Sequence, residues 1–113
     1  MSLKIYHNPR CSKSRATLAL LEERGLKPQI IEYLNSPPSA DELKDVITML
    51  GVPARDIVRK KDAAEAGINP GDLDDAALIE AIAKHPIVIE RPIVVNGKKA
   101  ALGRPPENVL EIL

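Results

Sequence analysis

The step Asn96-Gly97, set between the β-branched run Ile93-Val94-Val95 and the segment from Lys99 to Leu102, narrows the available folds more than any other feature of the chain. Asn and Gly accept the positive φ that tight hairpin turns demand, so this composition between strand formers predicts an antiparallel pair. At the other end, Leu3 to Tyr6 alternates apolar and polar positions as a short strand does. Thr17 to Arg24 follows with helix formers and with Leu18 and Leu21 three apart, and Gly25 stands where a helix C-cap belongs. Gln29 to Tyr33 reads as a second strand.

Ser36-Pro37-Pro38 breaks that strand, and Ser39 and Glu42 then have the capping-box spacing, so a helix is predicted from about Ala40. Leu43, Val46, Ile47 and Leu50 form its apolar stripe, and Gly51 with Pro53 closes it. Arg55 to Gly71 reads as short helical turns and loop. Asp74 or Asp72 caps a further helix that carries Leu78, Ile79 and Ile82 toward the core and ends at His85-Pro86. Ile87-Val88-Ile89 is a second β-branched run, and Arg91-Pro92 separates it from Ile93. Pro105 and Pro106 offer an N1-type start for a terminal helix through Val109, Leu110 and Ile112. The order β-α-β, then helices, then β-β and α describes an α/β, thioredoxin-like (glutaredoxin-like) mixed sheet with a helical insertion. With 113 residues and 44% hydrophobic content, a single domain over 1–113 accounts for the chain.

Lys plus Arg and Asp plus Glu are each 16, so the formal net charge is zero and the overall balance suggests neither a nucleic acid nor a membrane surface as partner. No apolar run approaches the roughly 18 residues of a membrane span, and no basic-then-apolar leader opens the sequence. A cytoplasmic location is the expectation. Tyr6 and Tyr33 are the only aromatic residues, too few for base stacking. One cysteine and two distant histidines give no metal-ligand spacing, and Gly67 and Gly71 lack a P-loop context, so neither metal nor nucleotide is expected.

The lone Cys11 sits where the first strand gives way to the helix, among Arg10, Lys13 and Arg15. A buried structural cysteine is the ordinary reading of a single thiol. Here the helix N-terminus and the basic neighbours favour the thiolate, which is the nucleophilic form. Arg59, Arg91 and Arg104 each fall at an element boundary rather than on an obvious solvated helix face. In a thioredoxin-like sheet Arg91-Pro92 lies across from Cys11, Pro92 is a candidate cis proline, and Arg104 returns to the same end. Guanidinium groups match tetrahedral oxyanions, so a thiolate ringed by arginines suggests attack on a phosphate-like anion.

The chain resembles the glutaredoxin-coupled arsenate reductases of the ArsC family along nearly its whole length. Four blocks in order carry the resemblance: Tyr6-His7-Asn8-Pro9-Arg10-Cys11-Ser12-Lys13-Ser14-Arg15, Val58-Arg59-Lys60-Lys61, His85 to Val95, and Leu102-Gly103-Arg104-Pro105-Pro106-Glu107-Asn108-Val109-Leu110. The resemblance implies that Cys11 is the nucleophile and that Arg59, Arg91 and Arg104 bind arsenate and stabilise arsenic-sulfur intermediates. It also implies a substrate loop in which His7 and Asn8 position the thiolate and Ser14 and Arg15 support them. The implied enzyme is a cytoplasmic oxidoreductase of arsenic detoxification with no bound cofactor. Glutathione is its co-substrate and a glutaredoxin its partner. The cysteine count agrees, since two-electron reduction needs a second thiol that one cysteine cannot supply. Two relatives compete with this reading. YffB-like proteins are suspected glutathione-dependent thiol reductases, and Spx-like proteins are transcription regulators that bind RNA polymerase and switch through a Cys-x-x-Cys pair. Ser14 stands where the second cysteine of that pair would be.

Overall fold

The segment whose alternating pattern predicts the first strand lies in the interior of a sheet. In the computed structural model, which describes residues 3–113, β1 (Leu3–His7) is followed by α1 (Ser12–Glu23) and β2 (Gln29–Glu32). β3 (Ile93–Asn96) and β4 (Lys99–Leu102) come late in the chain. The four strands run in the order β2-β1-β3-β4. β1 pairs parallel with β2 and antiparallel with β3, which in turn pairs antiparallel with β4, so the sheet is mixed and thioredoxin-like as the element order predicts.

The described residues divide into two compact units, residues 3–36 with Arg91–Leu113, and Pro37–Glu90. The first unit holds the sheet. Ile5, Leu21, Val94 and Val109 form its buried cluster, with Leu3, Leu18, Leu20, Leu26, Ala101 and Ile112 packed against it. Tyr6, Ile93 and Val95 point to the opposite face and are buried as well, so β1 and β3 are covered on both sides. The hairpin forms, but its two-residue loop is Gly97-Lys98, because Asn96 pairs with Lys99. Gly97 alone carries positive φ there (65°), the pattern of a type II′ turn with Gly at the first central position.

In the first unit one expectation holds and one changes. α1 begins at Ser12 with Cys11 at its N-terminus, as expected, and its apolar periodicity starts five residues later because the inward positions of its first half are polar: its buried residues are Ser14, Thr17 and Leu21. The terminal element Pro106–Ile112 is a 3-10 helix rather than an α-helix. Its three-residue period turns Val109 and Ile112 inward and leaves Leu110 exposed.

The second unit is helical. α2 (Ala40–Leu50) starts at Ser39, whose hydroxyl accepts from the Glu42 N–H at 3.1 Å. α4 (Asp75–Lys84) starts at Asp74, whose carboxylate accepts from Ala77 N–H at 2.8 Å, and it buries Leu78 and Ile82 while Ile79 is half-buried. Between them lie a 3-10 turn at Ala54–Ile57 and the short α3 (Lys60–Glu65). The run Ile87-Val88-Ile89 forms no strand. Pro86–Val88 is a 3-10 turn, and Ile89 makes an isolated antiparallel bridge with Val58, flanked by Arg59 N–H to Val88 O at 2.7 Å and Glu90 N–H to Ile57 O at 2.6 Å. Among the described residues no helix is long and apolar enough to cross a membrane.

Leu21 is fully buried where α1 meets Ile5 and Val94. Truncating it removes that contact and leaves a void, so Leu21→Ala is expected to cost about 2–5 kcal/mol in a urea or thermal unfolding measurement.

Candidate active site

Cys11 is the N-cap residue of α1. Its backbone is extended (φ −93°, ψ 122°), its carbonyl accepts from Arg15 N–H at 3.0 Å, and its own N–H donates to Asn8 O at 3.0 Å. The position usually holds Ser, Thr, Asp or Asn, whose oxygen accepts a first-turn N–H. A thiol stands there instead, no side-chain cap bond forms among the described residues, and the first turn carries no acidic residue. Half-exposed Cys11 therefore stands at the positive end of the helix without a competing carboxylate on that turn.

The loop before it is held by one buried hydroxyl. Ser14 Oγ accepts from the Asn8 N–H at 3.0 Å and lies 2.6 Å from His7 Nδ1. With one lone pair already engaged, its proton is available to Nδ1, which fits a neutral imidazole carrying its own proton on Nε2. Asn8 Oδ1 accepts from Arg10 N–H at 3.0 Å, and Arg15 donates to Pro9 O at 2.9 Å, so Pro9 and Arg10 are tied at both ends. His7 is only 6% exposed. Burial pushes its pKa below the ordinary 6.5, Arg15 adds to the lowering and Glu32 opposes it.

The far end of the chain reaches the same place. Gly103 N–H donates to Pro92 O at 2.9 Å, extending the β3–β4 ladder past Ile93↔Leu102 by the single backbone bond that proline, lacking an N–H, permits. One position further, Arg104 Nε donates to the Arg91 carbonyl at 2.8 Å, and its Nη2 lies 3.7 Å from Cys11 Sγ. The Arg91-Pro92 and Arg104-Pro105 peptide bonds are both cis. The structure thus brings Cys11, His7, Asn8, Ser14, Arg15 and Arg104 together, with Arg91 contributing its carbonyl. That backbone role had no signal in the sequence. Arg59 belongs to the second unit, where it is the N-cap residue of α3 and its Nε lies 3.3 Å from Asp62 Oδ2. Among the described residues no group of three or more His, Cys, Asp or Glu is placed to hold a metal.

A thiol on the helix after the first strand, a proline leading the third and an arginine at the sulfur define a thiol protein of the thioredoxin-like class. The chain belongs to the ArsC family, whose pattern matches residues 6–112. It is 52% identical to an arsenate reductase of Haemophilus influenzae, with all of both chains covered. It is 49% identical to the uncharacterised Escherichia coli protein YfgD, over 98% of this chain and 96% of that one. A solved arsenate reductase from Vibrio cholerae superposes with a TM-score of 0.94 at 54% identity, covering 100% of this chain and 98% of the other.

The histidine makes a prediction with a definite sign. Folded His7 resists a proton that the unfolded chain accepts, so stability present above pH 6.5 is lost as the pH falls from there through the lower folded pKa. Urea unfolding between about pH 7.5 and pH 5 is expected to show this acid loss, and His7→Gln is expected to flatten it.

Proposed function

We propose that this protein reduces arsenate to arsenite through an adduct on Cys11, with glutathione and a glutaredoxin supplying the remaining thiols. The observation that carries the reading is the Arg104 guanidinium 3.7 Å from a sulfur at a helix N-terminus, which is a place for an anion to meet a nucleophile. Relatives named arsenate reductase, similar over the whole chain, support the choice of anion.

In this reading the Cys11 thiolate attacks arsenic, a sulfur-arsenic bond forms, and one arsenate oxygen leaves as water after protonation. Glutathione then adds to arsenic as a second oxygen leaves. A glutaredoxin thiolate attacks the glutathione sulfur, forming a mixed disulfide, and the electron pair of the broken sulfur-arsenic bond stays on arsenic, which is thereby reduced. Hydrolysis of the remaining bond releases arsenite and restores Cys11. External thiols are required by the count, since this chain has one cysteine. Arg104 offsets the charge of the anion, the arginines 59 and 91 take the same role by family resemblance, and the His7–Ser14–Asn8 network holds the loop in register.

Arsenate-dependent NADPH oxidation, coupled through glutathione, glutathione reductase and a glutaredoxin, tests the reading. Cys11→Ser is expected to abolish turnover, and Arg104→Ala to lower kcat/KM on the order of 100-fold. Full activity in Cys11→Ser would refute the mechanism. Silence of the folded wild type with several glutaredoxins would favour a thiol reductase that does not use arsenate.

A further inference from the structure

We propose that Gly103 is a positioning residue for the anion site, setting where the Arg104 guanidinium stands relative to Cys11 by permitting a close approach that no side chain allows. This rests on the reading of Arg104 as the charge that receives the anion. Gly103 is buried and does not have positive φ, so backbone conformation does not explain a glycine here. Space does. A Cβ at Gly103 would stand 2.5 Å from Thr17 Oγ1, 2.8 Å from Pro92 Cγ and 3.1 Å from Thr17 Cγ2.

Neither neighbour is free to move aside. Thr17 is fully buried in α1, is β-branched, and is held by its own hydrogen bond from Oγ1 to Lys13 O at 2.8 Å. Pro92 is a buried ring whose carbonyl accepts the Gly103 N–H itself. A methyl group at 103 therefore displaces backbone, and the next residue is Arg104. That residue's contacts from Nε to Arg91 O at 2.8 Å and from Nη2 to Cys11 Sγ at 3.7 Å shift with it. Thr17 lies six residues after Cys11 on the same helix, so the distance between Thr17 and Gly103 also sets the distance between sulfur and guanidinium. Shifts of about 1 Å in such a pair change rates up to about 100-fold.

The test reads the guanidinium through its charge, without arsenate. Cys11 is alkylated with iodoacetate, an anion, and with iodoacetamide, which is neutral, and the ratio of the two rate constants is compared across variants. Arg104→Ala is expected to lower the ratio about fivefold, by removing the cation beside the sulfur. Gly103→Ala is expected to lower it to a similar degree, and Thr17→Ala/Gly103→Ala to recover part of it, because only the Pro92 contact then remains. Should Gly103→Ala fail to fold, the double variant is read alone, and a ratio equal to wild type overturns the proposal. A wild-type ratio in folded Gly103→Ala, beside a lowered one in Arg104→Ala, also overturns it and leaves the proposed function standing. A lowered ratio in Gly103→Ala without arsenate turnover in the wild type supports the positioning role and removes the arsenate reading.

Discussion

The antiparallel pairing of β1 with β3 is the constraint on which the rest of the first unit depends. Ile5 opposite Val94 and Tyr6 opposite Ile93 join two segments from opposite ends of the chain, and both strands are buried on both faces. A slip of one residue would turn every side chain to the wrong face. It would also move one strand by about 3.3 Å along the other, nearly the whole sulfur-to-guanidinium distance of 3.7 Å. The pairing that buries the core therefore also sets the geometry of the site. β1 ends at His7, which begins the Cys11 loop, while β3 begins after Pro92, and β4 carries the chain back to Arg104.

Buried polar residues are concentrated around Cys11. Among those described they are His7, Asn8, Ser14 and Thr17, which lie at the end of β1, on the loop that follows and on the first turns of α1. An unsatisfied polar group in such a position costs about 1–3 kcal/mol, and here each has a partner: Ser14 serves both His7 and Asn8, and Thr17 bonds back to Lys13. The first half of α1 thus gives up apolar burial to hold a loop in one conformation. Leu21, one turn beyond Thr17, resumes the hydrophobic packing.

That exchange explains what was legible. Element order, the hairpin, the cap at Ser39, a further helix capped by Asp74 or Asp72, and the family could be read because they rest on local chemistry or on blocks of residues in order. The start of α1 at Cys11 was legible from the strand-to-helix junction and not from apolar periodicity, because the inward residues of its first half are Ser14 and Thr17. The β-branched run Ile87-Val88-Ile89 is no strand, since a proline-led 3-10 turn takes it up with Ile87 exposed and Val88 buried. At the site, the identities of Cys11 and Arg104 were visible. The acceptor of Arg104 is a main-chain carbonyl, and a carbonyl has no letter in a sequence.

The same anchor separates charge from direction at position 91. Because Arg104 is aimed by the backbone oxygen of residue 91, the side chain at that position can vary without releasing the guanidinium. A substitution at position 91 can therefore change the charge carried there while the cation at the sulfur keeps its bearing. Aim and charge can be inherited separately.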